Sequence, residues 1–96
     1  MSSGYVIAQV EVTNPTQYEE YKKWSSAAMQ AHGAEVCVRG GQVEVLEGDW
    51  TPSRIVILKF PSFEKAKAFY ETPEYLKARE ARAGAAVMRM VAVEGL

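Results

Sequence analysis

Cysteine and histidine are almost missing from this chain: Cys37 and His32 stand alone among 96 residues. A single cysteine excludes an intramolecular disulfide. One histidine, one cysteine and scattered carboxylates offer no pair at zinc or iron spacing, so no metal is expected. Aspartate is as scarce, since Asp49 is the only one. A serine-histidine-aspartate triad would have to join it to His32, and no serine stands in an elbow-like glycine context. A surplus of charge is lacking too. Eleven basic residues oppose twelve acidic ones for a net charge of -1, which supplies no positive field for a phosphate backbone and argues against a nucleic-acid partner. No apolar run approaches the roughly 20 residues that span a bilayer, so no membrane partner is expected. No basic and apolar leader marks the N-terminus either, and a cytoplasmic protein is the expectation.

What is there suits one small core. The chain is 48% apolar and has the length of a single domain, 1–96. A domain of this size buries only about 60 to 70% of its unfolded surface, which favours association. From Tyr5 to Val12 the residues alternate, with Val6, Ala8, Val10 and Val12 on one face and Tyr5, Ile7, Gln9 and Glu11 on the other, the period of a strand. Asn14-Pro15 starts a helix, Tyr18, Tyr21, Ser25, Ala28, Met29 and His32 recur at its spacing, and Gly33 ends it. Glu35 to Arg39 and Gln42 to Leu46 read as two short strands joined at Gly40-Gly41, a pair suited to a tight hairpin. Arg54 to Phe60 is almost wholly apolar and reads as a central strand covered on both faces. Ser62 caps a helix that Pro73 interrupts before a second helical stretch, and Ala86 to Val93 alternates as a last strand.

With the hairpin of Glu35 to Arg39 and Gln42 to Leu46 counted as one long bent unit, the order strand, helix, strand, strand, helix, strand is that of an α+β, ferredoxin-like βαββαβ fold with an antiparallel sheet. Its helices cover one face only, yet several strands are apolar on both parities. A second copy packing sheet against sheet, a homodimer, is the simplest cover.

Several stretches together carry a family resemblance. They are Gly4-Tyr5, Val12-Thr13-Asn14-Pro15 with Tyr18 and Tyr21, Val38-Arg39-Gly40-Gly41, and Leu46-Glu47-Gly48-Asp49-Trp50. Pro52 with Arg54, Phe60-Pro61-Ser62, Tyr70 with Pro73-Glu74-Tyr75, Arg82, and Val93-Glu94-Gly95 extend them over nearly the whole chain. The sequence resembles the domain-of-unknown-function family numbered 1330, in the dimeric α/β barrel superfamily. That resemblance implies a ferredoxin-like protomer pairing into a barrel, with a cleft between sheet and helices that cofactor-free oxygenases, isomerase-like enzymes, haem-handling proteins and plain binding proteins of the superfamily use. It implies no one activity. Glu35-Val36-Cys37 departs from the pattern, where a basic residue, an aromatic ring and a leucine are more usual.

Arg39 and Arg54 lead the candidate site residues, because each stands at the edge of an apolar strand and is costly to bury unpaired. Glu47 is the natural partner. Two readings stand side by side: an Arg-carboxylate scaffold tying the hairpin to the central strand, and a fork for a carboxylate or enolate oxygen. Tyr18, Tyr21 and Trp50 would roof such a site, although aromatic residues at helical spacing are commonly core. His32 is the only neutral-pH general base of its kind, and its place before Gly33 equally suits a helix C-terminus. Cys37 reads as a small buried hydrophobe. The expected protein is a small-molecule-binding homodimer without a cofactor, with Arg39, Arg54 and His32 as the chemistry-bearing residues and Tyr18, Tyr21, Glu47 and Trp50 as binding ones, acting on an acidic or enolisable organic molecule. The rivals are a non-catalytic regulatory or stress module and, third, a haem protein using His32.

Overall fold

The computed structural model describes residues 2–96. Strand β1 (Gly4–Val12) leads to helix α1 (Pro15–Ala31), then β2 (Glu35–Arg39), β3 (Ile55–Phe60), α2 (Phe63–Phe69), α3 (Pro73–Ala81) and β4 (Ala86–Glu94). The four strands lie in the order β2-β3-β1-β4, and every neighbouring pair is antiparallel. This is the expected βαββαβ architecture. Among the described residues no helix is long and apolar enough to cross a membrane.

Each helix begins where a side-chain oxygen can take a free amide. Asn14 accepts from the Gln17 N–H at 3.1 Å, Ser62 from Lys65 and Thr72 from Tyr75, with prolines directly after Asn14 and Thr72. Helix α1 stops at His32, and Gly33 follows with φ 66°, the left-handed residue that glycine tolerates.

The core lies between one sheet face and the three helices. Val6, Ala8 and Val10 of β1 and Leu58 and Phe60 of β3 meet Tyr18, Tyr21 and Ala28 of α1, Phe69 of α2 and Tyr75 of α3. Phe69 is its centre, with ring centroids 5.1 Å from Phe60 and 4.8 Å from Tyr75.

The opposite face carries no helix, and the described chain is only 17 Å thick along its shortest axis, two layers deep. The ladder places Ile57, Ile7 and Val91 in one row across that face, with Val93 beside Tyr5. Val87 and Val91 remain 58% and 60% exposed. A row of branched apolar side chains left open to water is unusual unless something covers it.

Two expectations are corrected. Gln42 to Leu46 is not a strand; residues 41–51 form no regular element and are exposed. Strand β2 takes Ile55–Phe60 as its antiparallel partner instead, and the Gly40 N–H donates to the Ile55 carbonyl at 2.9 Å. Residues 41–51 are thereby the connection between β2 and β3 and not a strand of their own. Cys37 is exposed, not buried. It sits at a register shift where Val36 faces Leu58 and Val38 faces Ile57, an extra residue of the bulge kind. That shift reverses the strand's parity and brings Arg39 opposite Val56, on the helix side.

Candidate functional site

The sheet and α1 enclose a cavity of about 100 Å³. Val6, Ala8, Val10, Val56 and Leu58 form its sheet wall; Tyr18, Tyr21, Ser25 and Met29 project from α1, three and four residues apart on one helical stripe. Arg39, Arg54 and Lys22 also line it, and no carboxylate does. Three basic groups without an acidic one give it a positive lining although the chain as a whole is near neutrality.

Local structure explains how Arg54 comes to lie there. Its carbonyl accepts from the Val10 N–H at 2.8 Å, and the Ser53 hydroxyl donates to the Val10 carbonyl at 2.8 Å. The residue is thereby pinned to the end of β1. Its guanidinium then crosses the backbone at Gly40, where any Cβ would collide with it. Nε of Arg54 is buried with no hydrogen-bond partner, a condition that costs free energy and is uncommon in folded proteins. Lys22 is committed elsewhere, 2.9 Å from Glu19.

The two tyrosines differ. Burial pushes the Tyr18 phenol above its ordinary value, while the nearby Arg54 guanidinium pulls the other way. Tyr18 therefore stays neutral through the physiological range and can donate a hydrogen bond. Tyr21 is pushed up further, by burial and then by Tyr75. Its hydroxyl lies 2.8 Å from that of Tyr75, so it is engaged within the core.

The structure brings Arg39, Arg54, Tyr18 and Tyr21 to one cavity. The other three candidates lie apart. His32 Nε2 is 2.8 Å from Glu74 Oε1, partly exposed, and its ring meets Phe69 edge-on; it is not among the residues lining the cavity. Trp50 lies with Gln9, Glu11, Val87 and Arg89 on the uncovered sheet face. Glu47 is exposed, and among the described residues no carboxylate lies within ion-pair distance of Arg39 or Arg54. The expected Arg–Glu47 scaffold is absent because the hairpin that would have carried Glu47 does not form.

Arg82 entered the sequence analysis only through the family resemblance and not as a candidate site residue, yet its Nε is the second buried, unpartnered side-chain nitrogen among the described residues. At the end of a charged helix it looks like surface. Its flanking Ala81, Ala83, Gly84 and Ala85 were the available signal, since small residues let backbone pack close; Ala85 is fully buried.

Comparison with known families settles the chain's kinship. The sequence profile of DUF1330, a domain of unknown function, matches residues 3–96. The chain belongs to that family. No functionally curated protein matches it. Among solved structures, a protein of unknown function from Rhodopseudomonas palustris aligns over 99% of this chain and 83% of its own at 20% identity, with a TM-score of 0.75. SnoaB, a cofactor-independent oxygenase from Streptomyces nogalater, aligns over 97% and 92% at 12% identity and 0.64. A dimeric ferredoxin-like protein of unknown function from Thermobifida fusca aligns over 99% and 92% at 17% and 0.62. At these identities the likeness shows the fold alone.

Proposed function

We propose that the protein is a homodimer whose cavity between sheet and α1 binds a small acidic or enolisable organic molecule, with Arg54 holding its anionic oxygen. The observation that carries this reading is the Arg54 guanidinium: held in place from β1, buried at Nε, unpaired by any carboxylate, and beside the neutral Tyr18 phenol. An oxyanion entering the cavity would satisfy Nε and accept from Tyr18 at once, which is how preorganised donors stabilise an enolate or carboxylate. Arg39 guards the mouth as a second cation, and Tyr21 fixes the wall through Tyr75. A volume of about 100 Å³ suits a ligand of a handful of heavy atoms. The open sheet face supports the dimer, and a structural relative described as dimeric agrees with it.

Acetoacetate, both a carboxylate and an enolisable ketone, is the probe. Calorimetric titration should give saturable binding, and Arg54→Gln should weaken it by about tenfold or more without changing the oligomer. Unchanged affinity in that variant refutes the assignment.

A further inference from the structure

A second cavity, of about 420 Å³, opens at the outer edge of the sheet between β4, α2 and the end of α3. It shares Val6, Phe69, Met88 and Met90 with the inner cavity, so one layer of side chains stands between them. We infer that this outer cavity is a separate site for a small aromatic carboxylate, anchored by Arg82.

Three observations carry the inference. The space is four times the inner cavity's and within the size range of ligand sites. Its walls are Phe69, Met88, Met90, Ala66 and Ala92, an apolar lining in which thioethers can adapt to the edge of an aromatic ring. Its polar groups are Lys67, Tyr70 and Arg82; the Arg82 guanidinium lies 5.8 Å from the Tyr21 ring centroid, and it is the cation of the two without a carboxylate partner among the described residues. Lys67 pairs with Glu64 at 3.2 Å and lies over the Phe63 ring, whereas Arg82 has no carboxylate within ion-pair distance among the described residues and a buried Nε without a partner.

Arg82 is also held as an anchor should be. Gln17 of α1 donates its side-chain amide to the carbonyls of Ala81 at 3.0 Å and Ala83 at 2.7 Å, on either side of it. The Ala85 N–H donates to the Arg82 carbonyl at 2.8 Å, and Thr13 and Asn14 bond to Ala85 in turn. A fixed backbone reduces the ordering that a bidentate carboxylate contact requires. A bound carboxylate would take the unpartnered Nε, and the ring would rest against Met88 and Met90.

Benzoate is the probe, followed by methyl NMR of alanine-labelled protein. Ala66 and Ala92 line the outer cavity alone and Ala8 the inner one alone, so the two sites report separately. Saturable shifts at Ala66 and Ala92 are expected. Arg82→Gln should weaken them by about tenfold or more, Arg82→Lys by less, and Arg54→Gln should leave them unchanged. Benzyl alcohol, which keeps the ring and lacks the charge, tests the anchor without any substitution. Absence of saturable shifts with benzoate, equal affinity for benzyl alcohol, or wild-type affinity in Arg82→Gln overturns the assignment.

Discussion

The Arg54 guanidinium enters the inner cavity by crossing the backbone at residue 40, which has no side chain. Gly40 combines φ 66° with a position where a Cβ would strike the guanidinium, so Gly40→Ala should lose about 1–2 kcal/mol of stability through the backbone alone and weaken acetoacetate binding as well. Denaturant unfolding and calorimetry together check this; a variant that binds like the wild type would show that Arg54 does not need its path. The Tyr18 phenol offers a second residue-scale test. Its value lies above the ordinary one because of burial, with Arg54 opposing, so Arg54→Gln should raise it further, measured by ultraviolet titration. For a group raised in the fold, stability is full below the ordinary phenol range and falls as pH climbs through the raised value. Alkaline unfolding should therefore begin above the unperturbed phenol value. The arginines were legible by residue type, since a guanidinium in an apolar strand demands a reason. Their lack of a carboxylate partner was not legible, because it depends on where an irregular segment goes.

At the scale of elements, the sequence was most readable where local chemistry and periodicity agree. Asn14-Pro15 and Gly33 bracket α1, and the alternation of Tyr5 to Val12 marks β1, as the structure has them. It misled where two signals compete: Val43 and Val45 alternate like a strand, yet β2 pairs with the more apolar Ile55–Phe60 and leaves them in the connection. The bulge near Cys37 was invisible, because one extra residue leaves no mark in composition while moving Arg39 to the other face. His32, a fair candidate for catalysis by rarity alone, instead joins the end of α1 to the start of α3 through Glu74. The His32 hydrogen bond holds the Glu74 carboxyl below its ordinary value. The sign follows: a depressed carboxylate contributes stability above its ordinary value and loses it as pH falls through the lowered one. His32→Ala should return Glu74 toward the usual carboxylate range in an NMR titration, and an unmoved Glu74 would assign its shift to the helix start instead.

For the whole molecule, the decisive feature is a two-layer protomer with one layer bare. Ile7, Ile57 and Val91 cross the uncovered face in a single row, and Val91 alone leaves 60% of its surface in water. The proposed homodimer, packed through this face, would bury that row and leave the helix side, with its two arginine-lined cavities, on the outside of the contact. The bare apolar face was readable beforehand, because apolar residues on both parities of several strands exceed what the helices can shield. Sedimentation equilibrium of the full chain at micromolar concentration tests it directly. Twice the chain mass is expected, falling to the single-chain mass in Val91→Glu; a folded monomer of the unaltered chain throughout that range would contradict it.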